Sequence, residues 1–176
     1  MIVASAAVLG AGALPAQDAP YHATPHEVVE RMLELARLRF GDVVYDLGCG
    51  DGRIVIAAVR TPGVRGVCVE IDPARLRWAR DAAERAGVAG RIHLVQGDLF
   101  EVPIRDATVV TLYLLRPVNL RLRPRLLREL RPGTRVVSNG FDMGDWEPER
   151  QVVLREPSFT TLYRWTIPER RDPTAR

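Results

Sequence analysis

The stretch VVYDLGCGDGRIVIA, residues 43–57, places an apolar run, an acid, three glycines at alternate positions and a second apolar run in one segment. The first run, closed by glycines, reads as a buried strand, and RIVIAAVR after them as the start of a helix. A glycine turn between strand and helix lets backbone N–H groups approach a ligand closely, and the helix N-terminus adds positive potential. Gly48, Gly50 and Gly52 spell G-x-G-x-G, whereas dinucleotide sites favour G-x-G-x-x-G. The turn is built for a nucleoside-like ligand, and its spacing alone does not name one.

Working outward, TPHEVVERMLELARLRFG carries the signs of a helix. Thr24 is the expected cap, Pro25 suits the first turn, Glu27 completes a capping box and Gly41 is the expected stop. Val28, Val29, Met32, Leu33 and Ala36 form its apolar stripe. Downstream, RGVCVEID reads as a second buried strand. DPARLRWARDAAERAG follows as a helix capped by Asp72, with Pro73 at its first position and Gly87 beyond its end. RIHLVQGD, DATVVTLYLL and TRVVSNGF give a third, fourth and fifth strand. Between the last two, RPVNLRLRPRLLREL is a helical segment expected to break or restart at Pro124. RQVVLRE and FTTLYRWTI alternate apolar and polar residues, as an antiparallel pair does.

Strands alternating with helices, then two strands in succession, predict one α/β domain. Its sheet is Rossmann-like, doubly wound and mostly parallel, with about seven strands and an antiparallel hairpin at the end. The domain is expected over residues 17–168, with a flexible tail over 169–176. The chain of 176 residues is long enough for one such domain and its core. Before it, MIVASAAVLGAGALPA, residues 1–16, resembles the apolar region of a signal peptide cleaved after Ala16, or an anchor, although a basic leading region is missing. A loose Ala-rich tail is the plainer reading.

All 25 basic residues are Arg, against 22 acids, for a net charge of +3. With no Lys, Schiff-base chemistry and a Walker-type phosphate lysine are excluded. Cys49, Cys68, His22, His26 and His93 show no metal-ligand spacing, so no metal is expected. Both cysteines read as free thiols, Cys49 as a small residue of the turn and Cys68 as a buried one. Arg121, Arg125 and Arg128 fall on one helix face, and the row reads as solvated.

In a doubly wound sheet the ligand sits at the carboxyl ends of the strands, and three successive strands end in an acid. Asp46 closes the first strand, where a carboxylate suits an ammonium group and repels a pyrophosphate. Glu70 closes the second and can accept from both hydroxyls of a ribose. Asp98 closes the third and can accept from an adenine amine, with Leu99 and Phe100 offering apolar contact. Adenine, ribose and an ammonium are the groups these acids would take.

On DLGCGDG, the acid of CVEID, QGD and the terminal hairpin, the chain resembles the class I S-adenosylmethionine-dependent methyltransferases over residues 21–166. On YHATPHEVVERML, DLGCGDGRIVIAA, ATVVTLYLL and FDMGDW it further resembles the small lysine methyltransferase family. That family's mitochondrial members modify the ATP synthase c subunit and the adenine nucleotide translocase. The resemblance implies S-adenosyl-L-methionine as cofactor. It implies cofactor contacts at Tyr21, Thr24, Asp46, Gly48, Cys49 and Gly50, then at Glu70, Ile71, Asp98 and Leu99. Tyr113, Asp142 and Trp146 are the candidate catalytic residues, near the acceptor. Many bacterial members carry a His and often an acid where this chain has Asn139 and Gly140, so no acid–base role is carried over to those two positions.

The implied activity is N-methylation of a protein lysine by a monomer, the substrate being a protein with an accessible lysine, membrane-associated or not. The alternatives are a small-molecule or RNA methyltransferase, a non-catalytic nucleoside-binding module and a dinucleotide-binding protein. Nucleic acid is not the expected partner, because the Asn-Pro-Pro-aromatic signature of adenine methyltransferases is absent and the arginine row lacks interleaved aromatics. Cofactor supply implies a cytoplasmic or membrane-associated protein, in tension with the export-like first residues.

Overall fold

The computed structural model describes residues 22–155 and 158–170. The signal-like segment 1–16 and Tyr21 lie outside the described residues. Among those described, no helix is long and apolar enough to cross a membrane.

The elements follow the order expected from the sequence: α1 His26–Ala36, β1 Val43–Leu47, α2 Arg53–Ala58, β2 Arg65–Glu70 and α3 Pro73–Arg85. After these come β3 Ile92–Gln96, β4 Val109–Leu112, α4 Arg116–Glu129, β5 Arg135–Asn139, β6 Arg150–Leu154 and β7 Thr160–Thr166. One seven-stranded sheet runs in the order β3-β2-β1-β4-β5-β7-β6. The first five strands are mutually parallel, and β7 and β6 close the edge antiparallel. Alternation along β1 sends Val44 to the core beneath α1, α2 and α3, and Val43, Tyr45 and Leu47 to the core beneath α4. The strand order reverses between β1 and β4, so a crevice opens at their carboxyl ends.

Local signals placed α3 well. The Asp72 side chain accepts from Ala74 N at 2.7 Å, and Pro73 opens the helix. They placed the ends of α1 less well. Thr24 does not cap it; Pro25 is the cap residue, and its carbonyl takes the N–H groups of both Val28 and Val29. The Glu27 carboxylate accepts from Ser158 Oγ at 2.9 Å instead of closing a capping box. The helix stops at Ala36 rather than near Gly41, with Arg37 in the left-handed region at φ 50°. The cause is distant in sequence. Arg135 donates from Nη1 to the Ala36 carbonyl at 2.8 Å and the Arg37 carbonyl at 2.5 Å, and from Nη2 to Asp42 Oδ1 at 2.5 Å.

Pro124 neither breaks nor restarts α4, which runs through it. Proline removes one helical hydrogen bond, but buried Asn119, Leu122, Arg125 and Leu126 fix both halves against the sheet. The arginine row of this helix is also not simply solvated. Arg125 is buried and donates to the Leu99 carbonyl at 2.5 Å and to the Val102 carbonyl. The Arg121 guanidinium lies 3.9 Å from the centre of the Phe100 ring. Arg128 keeps to the surface, paired with Glu129.

The cysteines are a correction too. Cys49 and Cys68 form a disulfide with Cα atoms 5.4 Å apart, where free thiols were expected. Spacing along the chain hides the pairing. The turn after β1 folds back on β2, with the N–H groups of Gly48 and Cys49 on the Val69 carbonyl at 2.8 and 3.0 Å, beside Cys68.

Candidate active site

The crevice at the strand ends is a cavity of about 470 Å³. Asp46, Gly48 and Cys49 reach it from β1 and the glycine turn, Glu70, Ile71 and Asp72 from the end of β2. Gly97, Asp98 and Leu99 follow β3, and Tyr113 and Leu114 follow β4. His22, Ala23 and Thr24 form a further wall ahead of α1. Gly48 has φ 79°, a backbone conformation that favours glycine, and a Cβ there would press on Leu114 Cδ2 at 3.0 Å.

Asp46 is buried. Its Oδ1 accepts from Thr111 Oγ1 at 2.8 Å, and its Oδ2 has no hydrogen-bond partner among the described residues. Burial pushes its carboxyl up to about 7; the Thr111 hydroxyl opposes this, and the charges of Asp51 and Glu70 add to it. A buried acid on the cavity wall, with one oxygen left without a hydrogen bond among the described residues, fits a cationic group. Glu70 is buried as well, and each of its oxygens holds a backbone N–H: Oε2 that of Gly50 at 2.9 Å, Oε1 that of Asp72 at 3.0 Å. One carboxylate thus shapes both the glycine turn and the loop after β2. The Asp98 Oδ1 accepts from Phe100 N at 2.8 Å, and its carbonyl takes the N–H groups of Glu101 and Val102. Arg125 then pins the same turn from α4.

Eight of the expected cofactor residues line the cavity: Thr24, Asp46, Gly48, Cys49, Glu70, Ile71, Asp98 and Leu99. Gly50 stands behind the wall, donating to Glu70. Of the expected catalytic residues, Tyr113 lines the cavity, whereas Asp142 and Trp146 are not part of its lining. The Asp142 carboxyl is held below its ordinary value by the Gly144 N–H, with Arg116 adding to the effect against slight burial. Its Oδ1 accepts from Gly144 N at 2.8 Å and Arg116 Nε at 3.0 Å. Trp146 packs against Trp165, ring centres 5.7 Å apart. Phe100 lies under Arg121 rather than on the cavity wall.

Sequence reasoning missed Asp51, Arg53, His22 and Arg75 as lining residues. The signal for the first two was present. An Asp two residues before an Arg at a helix start can fork its guanidinium, as here at 2.6 to 3.1 Å. What that guanidinium reaches, the Thr24 carbonyl 29 residues away, no local pattern specifies.

A family model of the ANTKMT methyltransferase domain matches residues 46–150. The chain belongs to this family. The resemblance read from its motifs is confirmed. A protein-lysine N-methyltransferase of Saccharolobus islandicus (strain REY15A) is similar to this methyltransferase at 47% identity over 152 residues, 85% of this chain and 94% of the relative. The adenine nucleotide translocase lysine N-methyltransferase of Mus musculus is 38% identical over 129 residues, 73% of this chain and 56% of the relative. Among solved structures, an RNA methyltransferase from Salinibacter ruber in complex with S-adenosyl-L-homocysteine superposes with TM-score 0.81 at 57% identity, covering 86% of this chain and 97% of that one. The protein is an S-adenosylmethionine-dependent methyltransferase with a Rossmann-like fold.

Proposed function

We propose that this methyltransferase acts on the side-chain amine of a protein lysine. What carries the reading is the Saccharolobus protein-lysine N-methyltransferase, which matches this chain across 94% of its own length. A second reading, an RNA acceptor, rests on the Salinibacter protein, 57% identical and described as an RNA methyltransferase.

The cofactor supplies an electrophilic methyl group on a sulfonium. In this reading Asp46 faces the ammonium end of the cofactor, through the oxygen that no described residue engages. Glu70 uses the lone pairs left free by Gly50 and Asp72 to accept from the ribose hydroxyls. Asp98 accepts from the adenine amine, with Ile71 and Leu99 as apolar walls. Attack by a nitrogen needs alignment and a free lone pair, so the rest of the protein's task is to position the amine and let it lose a proton. In this reading Tyr113, which follows β4 and lines the cavity, orients that amine.

The test is incubation with methyl-labelled cofactor and cell lysate, followed by protease or ribonuclease digestion and mass spectrometry of the labelled product. The enzyme has no Lys of its own, so self-labelling on lysine is impossible and background is low. Label on lysine supports the reading, and activity then rises with pH as more of the amine becomes neutral. Ribonuclease-sensitive label overturns it in favour of RNA.

A further inference from the structure

The Cys49–Cys68 disulfide lies beside the cofactor cavity and joins two segments that shape it. Cys49 stands between Gly48 and Gly50 in the turn, and Cys68 precedes Glu70 by two residues on β2. Cys68 is wholly buried. Cys49 is 7% exposed and lines the cavity, so the Cys49 side of the bond is the one nearest the cofactor's space.

We propose that Cys49–Cys68 is a reversible thiol–disulfide site whose state sets cofactor affinity, and that bound cofactor shields it. The proposal rests on the reading that this cavity holds the cofactor. Its reactant class is a small dithiol or a dithiol protein. A thiolate of the reductant attacks Cys49 Sγ, the S–S bond breaks, and Cys68 leaves as a thiolate that takes a proton. The reductant's second thiol then attacks the mixed disulfide and releases Cys49. The protein gains two electrons and two protons, and the reductant ends as a disulfide.

Two unbonded thiols need more room than a bonded pair. Cys68 sits in the central strand layer between β1 and β3, so the adjustment falls on the turn. Moving Cys49 shifts the N–H groups of Gly48 and Gly50 and, through Gly50, the carboxylate of Glu70. The oxidised form is therefore the tighter-binding one. Cofactor lying over Cys49 in turn blocks the attacking thiol.

The experiment uses the full chain and S-adenosylhomocysteine as the probe. Calorimetry on oxidised and dithiothreitol-reduced protein should show binding weakened roughly tenfold by reduction. Thiol release by dithiothreitol should slow about tenfold when the probe is present at ten times its Kd, because only the empty cavity reacts. Cys68→Ala should bind like the reduced wild type under oxidising conditions. If that variant does not fold, the wild-type time course decides alone. Equal affinity in both states, or thiol release at a rate indifferent to the probe, overturns the proposal while leaving the cofactor site intact. No binding in either state overturns the cavity reading and this proposal together.

Discussion

Arg53 donates from Nη1 to the Thr24 carbonyl at 2.8 Å, while Asp51 forks its Nε and Nη2 from the other side. A side chain at the first turn of α2 thereby fastens the segment ahead of α1 against the cavity mouth. The segment His22–Thr24 precedes α1, and this bond ties its Thr24 carbonyl to that wall.

Arg53→Met should therefore weaken S-adenosylhomocysteine binding by about 1.5–3 kcal/mol, the range for a hydrogen bond to a charged group. Arg53→Lys keeps the charge but not the fork, and should fall between the two. Calorimetry gives the affinities, and a thermal melt separates a local effect from unfolding. Unchanged affinity in Arg53→Met would show that the wall needs no latch.

Asp46 gives a pH prediction with a definite sign. Its carboxyl titrates at about 7 when the cavity is empty, raised first by burial. Between its ordinary value and 7 the folded protein holds a proton that the unfolded chain has released. This group's contribution to stability is thus full at acid pH, falls as pH rises through that window, and is gone above 7. Cofactor binding runs the other way, since an ammonium favours the ionised acid. Below pH 7 binding should release a proton and the Kd should rise by up to about tenfold per pH unit. Calorimetry in buffers of different ionisation enthalpy measures the released proton directly. Asp46→Asn should bind weakly at every pH and lose the dependence.

At the opposite end of the sheet, Asp42 and Arg135 form a buried pair that ends α1. Burial raises the Asp42 carboxyl, but Arg135, the Thr108 hydroxyl and the Arg39 N–H together outweigh it and hold the group below its ordinary value. Its stabilisation is present above the ordinary carboxylate range and is lost as pH falls through the lowered value. Arg135→Ala leaves a buried acid unpaired and should cost about 3–5 kcal/mol in urea denaturation. Cofactor affinity, measured where the variant is still folded, should hardly change, because the pair is remote from the cavity.

These pairs mark where sequence reading ended. The succession of strands and helices along the chain, and the ends of β1 and β2, were legible because buried strands, proline-led helices and glycine turns leave local marks. The acids Asp46, Glu70 and Asp98 stood out because each stands at or just after the end of a strand. Arg135 reaching Ala36, Arg53 reaching Thr24 and Cys49 meeting Cys68 were not legible. Each joins segments that the sheet brings together, and no period or spacing along the chain encodes that. Arg125 misled for the same reason: its row of arginines has helical spacing, and only the loop after β3 makes one of them buried.

Trp146 carries the last prediction, which separates packing from acceptor binding. Its ring lies against buried Trp165, and its carbonyl accepts from Trp165 Nε1 at 2.6 Å. The backbone bond survives any side-chain change, so Trp146→Ala removes only the ring contact. The ring is half-buried, so the loss should stay at or below about 3 kcal/mol, the low end for a large aromatic truncated in a core. Trp146→Phe should restore most of that stability. The loop from Phe141 to Trp146 follows β5, beside Gly140, over which the Tyr113 ring stands. A loosened loop should therefore disturb the acceptor side more than the nucleoside side. Methyl transfer by Trp146→Ala, measured below its melting temperature, should drop further than S-adenosylhomocysteine affinity does, and Trp146→Phe should recover it. Equal transfer in all three proteins, with only the melting temperature moving, would reduce Trp146 to a packing anchor and leave Tyr113 as the acceptor-side residue to test next.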